Sequence, residues 1–192
     1  MKYYIELTLL PDADVNLYFI WQKLYGQIHL ALVEHKNADG NSDIAVSFPE
    51  YKRNKFSLGS KLRLFSQTQE QLQQLDIDKW LNRLMDYCHC TSIKDIPQSV
   101  DTFVRFKRVQ FDTNVKRLAR RRAKRKGEPF EQALKYFDSF EDQESKLPFV
   151  NMNSLSKNER FRLFIEKEMV EQAEPGEFNC YGLSNQATVP WF

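Results

Sequence analysis

Few side chains in this sequence can move a proton near neutral pH. His29, His35 and His89 are its only histidines, and imidazole is the group whose ordinary pKa lies in that range. His29 sits in an apolar stretch, one helical turn after Tyr25 and behind Gly26, at the edge of what would be a buried face. A base there could activate a ribose 2′-hydroxyl for attack on the neighbouring phosphorus, chemistry that needs no metal. A lone helical histidine can equally be structural. The second candidate is a block of charge. Lys116, Arg117, Arg120, Arg121, Arg122, Lys124, Arg125 and Lys126 put eight positive charges into one short run without a carboxylate. Just before it, Arg108 and Gln110 are two apart in a strand-like stretch, which would place them on one face. Arginine suits the guanine O6/N7 pair and glutamine the adenine N6/N7 pair, although a polar strand face facing water gives the same pattern.

Other chemistry finds little support. Cys88-His89-Cys90 is too tightly spaced for a zinc cluster and has no second half. There is no glycine loop of the phosphate-cradling type. The carboxylates of Asp138, Glu141, Asp142 and Glu144 lie in a polar connector, a poor frame for two metal ions. No metal and no cofactor are expected.

These groups must be held by elements that the hydrophobic pattern suggests. Ile5, Leu7 and Leu9 alternate as a strand over Tyr3–Leu9. Asn16 can cap a helix whose Leu17, Ile20, Trp21, Leu24, Ile28 and Leu32 form one apolar stripe. Strands follow over 44–48 and 61–66, then a helical region over 69–87. Strand, helix, strand, strand, helix is the opening of a ferredoxin-like or RNA-recognition-motif sandwich. Beyond Ser92 the pattern changes to a basic strand over 103–111, then the Arg-rich helix ending near Gly127 and Pro129. A connector over 138–146, a strand through Phe161, Leu163 and Ile165, and a last strand over 178–183 complete the chain. On one helix Arg117, Arg120, Arg121, Lys124 and Glu128 share a face, with Arg122 and Arg125 around the cylinder and Leu118 inward. The fold class expected is α+β, with domains at 1–95 and 96–192.

Composition narrows the function class. The net charge is only +2, but eight of the 28 basic residues stand in the single run, leaving 20 against 26 acidic ones. A chain acidic elsewhere with one basic stripe reads as a directed polyanion binder, the alternative being a solvated helix or a localisation-like cluster. No apolar run is long enough for a membrane span. Three cysteines make no disulfide framework, and the start lacks a signal-peptide pattern. A soluble cytoplasmic protein with no membrane partner is expected.

Several segments together resemble a known family. They are Leu24-Tyr25-Gly26-Gln27-Ile28-His29-Leu30-Ala31-Leu32-Val33, Val46-Ser47-Phe48-Pro49, Arg108-Val109-Gln110 and the Arg-rich run. Leu147-Pro148-Phe149-Val150, Phe161-Arg162-Leu163-Phe164-Ile165, Cys180-Tyr181-Gly182-Leu183-Ser184 and Val189-Pro190-Trp191-Phe192 continue them in order. The chain is similar to the type I-F CRISPR-associated precursor-crRNA processing endoribonucleases. The resemblance implies an N-terminal ferredoxin-like (RRM-like) domain carrying the catalytic histidine, then a second α+β domain bearing the Arg-rich RNA-binding helix.

It also implies roles for individual residues. His29 would be the catalytic histidine, Ser154 would position the nucleophilic 2′-hydroxyl, and Tyr181 would orient the site. Arg108 and Gln110 would read base pairs at the foot of the repeat hairpin. Arg117, Arg120, Arg121, Lys124 and Arg125 would enter its groove, Phe161 would stack near the cut and Ser156 would lie near the RNA. Lys124 replaces an arginine of the family pattern, which keeps charge but loses the bidentate fork. Lys157 replaces a small hydroxyl residue. The partners implied are the CRISPR repeat hairpin and other subunits of a type I-F surveillance complex. The rival from another class is a non-catalytic RNA-hairpin-binding subunit on the same fold.

Overall fold

Ile5, Leu7 and Leu9 are buried on alternate positions of strand β1 (Tyr3–Leu9), as a half-buried strand requires. A computed structural model describes residues 1–53, 58–111, 115–137, 146–154 and 159–192, with side chains described from Leu118 onward in the helix that begins at Val115. Helix α1 (Leu17–Glu34) starts where the Asn16 side chain accepts the Tyr18 N–H. It buries Ile20, Trp21, Leu24, Tyr25, Ile28, Ala31 and Leu32 along one stripe. Strands β2 (Ala45–Ser47) and β3 (Lys61–Ser66) follow, then helices α2 (Gln69–Leu75) and α3 (Ile77–Leu81), a 3-10 turn at Asn82–Leu84, and strands β4 (Cys88–Cys90) and β5 (Lys94–Asp95).

The helix expected over 69–87 is broken. Asp76 takes a left-handed φ of 45° between α2 and α3. In a continuous helix Leu75 and Ile77 would project about 200° apart; the break lets both be buried, at 0% and 4% exposure. The first sheet is antiparallel, in the order β2-β3-β1-β4, with β5 also on β1. Strand β4 was not expected from the sequence, because its Cys-His-Cys carries one buried side chain only.

The remaining elements are β6 (Phe103–Val109), α4 (Val115–Lys126), α5 (Phe130–Lys135), β7 (Phe149–Asn153), β8 (Arg160–Val170) and β9 (Val189–Pro190). A second antiparallel sheet runs β7-β8-β6-β9. The class is therefore mixed α and β with antiparallel sheets.

The change of sheet falls between Asp95 and Phe103, but packing divides the chain elsewhere. One compact unit joins 1–109 with 148–192, and the other is 110–147. In the first unit the two sheets share a core: Phe48 and Tyr51 of the segment after β2 meet Phe106 of β6 edge-on at 5.2 and 5.8 Å. The Tyr51 hydroxyl also donates to the Ile165 carbonyl at 2.7 Å.

The second unit packs α4 on α5 through the buried Ala119 and Ala133. Helix α4 ends at Lys126, and Gly127 takes a φ of 65°, a conformation that suits glycine at a helix end. Glu128 therefore does not continue the face of Arg117, Arg120, Arg121 and Lys124, as expected from spacing. It turns back and pairs with Arg122 at 2.6 Å. The connector 138–145 lies outside the described residues.

Asn16→Ala removes the oxygen that caps α1. Stability should fall by about 1 kcal/mol, read as a lower urea midpoint at unchanged slope; an unmoved midpoint would mean the cap is redundant.

Candidate active site

Two successive carbonyls of one turn are held by two successive turns of α1. Tyr25, wholly buried, donates its hydroxyl to the Tyr181 carbonyl at 2.8 Å. His29, one helical turn on, is hydrogen-bonded through Nδ1 to the Cys180 carbonyl at 2.8 Å. These residues are i and i+4 on one helix face. A carbonyl oxygen only accepts, so Nδ1 carries the proton and Nε2 of the neutral ring carries the lone pair. That is the arrangement a general base needs: a fixed tautomer with a free nitrogen.

The turn itself is built by Asn179. Its side-chain oxygen accepts the N–H groups of Tyr181 at 2.8 Å and Leu183 at 3.3 Å. Its backbone carbonyl accepts the Gly182 N–H at 2.7 Å. Gly182 takes a φ of 70°, and a Cβ there would come 2.3 Å from Cγ2 of Val46. The strand expected over 178–183 is thus a turn. Only Phe178 makes a bridge, to Ser42, because asparagine and glycine favour the turn geometry over a ladder.

Around His29 the aromatic groups gather. Its ring stacks on Tyr181 at 4.2 Å with 7° between planes. Phe161 of β8 meets Tyr181 edge-on at 6.5 Å. The Arg108 guanidinium lies over both rings, 5.1 Å from Tyr181 and 5.6 Å from Phe161. Burial holds the His29 pKa below the ordinary value of 6.5; the Cys180 carbonyl opposes this and the Arg108 charge adds to it. Burial likewise pushes the Tyr25 phenol upward, so it stays a donor.

His29, Tyr181, Phe161 and Arg108 are therefore brought together. Ser154 follows directly on β7, a strand that packs against α1. The buried Val150 and Met152 alternate towards the half-buried Ser154, and Phe161 lies opposite Met152 in the ladder. The Ser154 N–H donates to the Glu159 carbonyl at 2.8 Å. Ser156 lies outside the described residues.

Gln110 follows the last residue of β6, which ends at Val109 rather than at Phe111 as expected, and belongs to the second compact unit. Strand alternation therefore does not fix its side chain beside Arg108. In that second unit Arg121, Lys124 and Arg125 are exposed, and Arg120, also exposed, lies 6.0 Å over the Phe130 ring. Arg122 is instead turned inward, stacked 3.8 Å over Tyr136 and paired with Glu128. Arg117 falls within α4, ahead of the described side chains.

Tyr25 and Asn179 were not singled out from the sequence as site residues. Tyr25 was visible as the i−4 neighbour of His29, and Asn179 as the start of an Asn-x-x-Gly turn. Among the described residues no three His, Cys, Asp or Glu side chains gather where they could hold a metal ion. No described helix is long and apolar enough to cross a membrane.

The sequence model of the family described as CRISPR-associated protein (Cas_Csy4) matches residues 4–192. The chain is 36% identical over 193 residues to a CRISPR-associated endonuclease Cas6/Csy4 of Escherichia coli (strain UTI89 / UPEC), with 100% of both chains covered. It is 34% identical, again over the whole of both chains, to a CRISPR-associated endonuclease Cas6/Csy4 of Pseudomonas aeruginosa (strain UCBPP-PA14). A solved structure described as "An RAMP protein binding different RNA substrates" is a looser likeness, with a TM-score of 0.31 and 11% identity over 98% of this chain and 99% of that one.

An NMR titration of His29 should give a midpoint below 6.5. Arg108→Gln should move it upward, because one of the two causes that lower it is removed. A midpoint that stays put or falls in the variant would show that the ring does not feel the guanidinium.

Proposed function

The chain belongs to the Cas_Csy4 family of CRISPR-associated proteins, and we propose that it is an endoribonuclease that cuts CRISPR repeat transcripts at the 3′ base of the repeat hairpin. The relatives' names support the reaction class. The observation that carries the mechanism is the His29 tautomer: Nδ1–H committed to Cys180 leaves Nε2 as the base. Nε2 takes the proton of the 2′-hydroxyl on the nucleotide 5′ to the cut. The O2′–P bond forms as the P–O5′ bond breaks, and the leaving 5′-oxygen takes up a proton. The products are a 5′-hydroxyl end and a 2′,3′-cyclic phosphate, which addition of water opens to a 3′ phosphate. No step requires a metal ion. The lowered His29 pKa keeps the ring neutral, as a base must be.

Ser154, at the end of β7, would hold the 2′-hydroxyl, and Phe161 would stack the adjoining base, so that attack is in line. Tyr181 would fix the His29 ring plane. Arg108, beside these rings, and Gln110 would read base edges at the foot of the stem, with Ser156 near the RNA. Arg117, Arg120, Arg121, Lys124 and Arg125 would meet phosphates.

The N-terminal fold would be ferredoxin-like, which the β1-α1-β2-β3-α2/α3-β4 order and the antiparallel β2-β3-β1-β4 sheet support. Residues 1–95 would carry the histidine and 96–192 the RNA-binding helix. The cut RNA would stay bound, and the chain would join other subunits of a cytoplasmic surveillance complex. A non-catalytic hairpin-binding subunit is the rival reading, and the fixed base nitrogen of His29 speaks against it.

Cleavage of a repeat hairpin in the presence of chelator tests the whole reading. His29→Ala should abolish cutting while leaving hairpin affinity within about twofold, since phosphate contacts supply the binding. A single 2′-deoxy nucleotide 5′ to the cut should block the wild type equally. Loss of cleavage with chelator, restored by magnesium, would defeat the metal-free mechanism. Cutting of the deoxy substrate would replace the 2′-hydroxyl by water.

Binding divides differently. Replacing Arg120, Arg121 and Lys124 together should weaken every hairpin and flatten the salt dependence. Arg108→Ala should cost about 1–3 kcal/mol, mainly on the cognate stem. Equal losses on a stem with swapped lowest pairs would make Arg108 a phosphate contact rather than a base reader.

A further inference from the structure

Three cations lie together in the first compact unit, outside the His29 site. Lys52 and Arg53 follow Tyr51 in the segment after β2, and Lys167 stands on β8. They are arranged about two aromatic rings. The Lys167 amine is 4.2 Å from the centre of Trp191 and 5.8 Å from that of Tyr51. The Arg53 guanidinium is 5.6 Å from Trp191, and the Lys52 amine is 5.7 Å from Tyr51. Tyr51 is itself fixed on β8 through its hydroxyl, which bonds the Ile165 carbonyl. No carboxylate forms an ion pair with any of the three among the described residues.

Packing alone explains part of this. A cation over Trp191 helps to hold the segment next to β9, and one would suffice. Three like charges in one place repel, and burial together with the Arg53 and Lys52 charges pushes the Lys167 amine downward. Lys52 also adopts a left-handed φ of 56°, a conformation that costs energy in a side-chain-bearing residue and persists where something else compensates. Unpaired cations beside aromatic rings are what a backbone-tracking groove for single-stranded nucleic acid presents.

The place fits the substrate proposed above. Lys167 is six residues along β8 from Phe161, roughly 20 Å at strand spacing. A transcript cut beside a hairpin carries single-stranded RNA on either side of it, and a few nucleotides of single strand can cover that distance. We propose that Lys52, Arg53 and Lys167 form a secondary RNA subsite, which binds phosphates of the single-stranded flank next to the repeat hairpin. This rests on the reading of the chain as a repeat-hairpin nuclease.

The probes are a repeat-derived stem-loop ending bluntly and the same stem-loop with a uridine extension of about ten nucleotides at its 5′ or its 3′ end, within the length one single-strand groove spans. All carry the 2′-deoxy substitution. Wild type should bind one of the extended RNAs on the order of tenfold more tightly than the blunt one. The double variant Lys52→Gln, Arg53→Gln changes two exposed side chains and should melt as the wild type does. It should bind the blunt stem-loop unchanged, lose the gain from the extension, and show a salt slope on the extended RNA lower by about 1.4, as two lost single-strand phosphate contacts predict. The charge-keeping pair Lys52→Arg, Arg53→Lys should retain the gain. If neither extension adds affinity, or the double variant keeps the gain, the subsite is refuted, and a docking site for an acidic protein becomes the better account of the patch. If wild type fails to bind even the blunt stem-loop, the nuclease reading and the subsite fall together.

Discussion

The grip of α1 on the 179–182 turn is the contact from which the rest of the site follows. Tyr25 and His29 stand one helical turn apart and donate to the carbonyls of Tyr181 and Cys180. The helix can do this only because it is itself immobilised: Trp21 donates its indole N–H to the Gly59 carbonyl at 2.9 Å, and Leu24 and Ile28 are wholly buried. The turn is held from behind as well, where Val46 of β2 donates its N–H to the Gly182 carbonyl at 2.8 Å. A residue with a side chain at 182 would collide with Val46, so glycine sets how closely turn and sheet approach. From these contacts come the tautomer of His29, the parallel stack with Tyr181, and the seat of Arg108 over two rings.

Burial at this point has an electrostatic consequence. A partly buried imidazole beside a guanidinium resists protonation, and the Cys180 carbonyl recovers only part of that cost. The balance of these causes favours a neutral ring. The Tyr25 hydroxyl, buried beneath it, cannot ionise readily and remains a donor. The candidate base is thus made from one histidine, two carbonyls and a stack of rings.

Much of the first sheet was legible in the sequence, because a half-buried strand such as β1 and a striped helix such as α1 write their burial directly into residue order. Asn16 announced its cap. The failures have local causes. Leu75 and Ile77 fell within one expected helix, yet both are buried only through the break at the left-handed Asp76. Strand β4 has too few apolar residues to show itself. Phe178 to Leu183 was expected as the last strand, but the Asn179 side chain captures the N–H groups a ladder would need. Of the site, His29 was visible as a candidate base, whereas the partners of Nδ1 were not, since backbone carbonyls carry no residue signature. Ser154, Tyr181 and Phe161 were named only through family resemblance.

The basic run illustrates a different limit. Charge counting treats its members alike, whereas the second unit spends Arg122 on its own cohesion, against Tyr136 and Glu128. Among the described side chains the small Ala119 and Ala133 are the buried ones of α4 and α5, and that arginine takes the place of a further apolar contact, leaving Arg120, Arg121, Lys124 and Arg125 outside. On the proposed reading this separates two tasks that need different physics. A phosphate held by an exposed cation is held equally before and during reaction, so it adds affinity but no rate. Rate must come from groups whose interaction changes as the O2′–P bond forms, and the His29 cluster holds a half-buried base whose Nδ1–H is committed to a backbone carbonyl. The summed field of a charged helix would lower the pKa of any histidine or lysine on it, which leaves the nitrogen free but weakens it as a base. Binding and proton transfer are therefore best placed on different elements, one exposed and charged, the other half-buried and nearly neutral, as they are here.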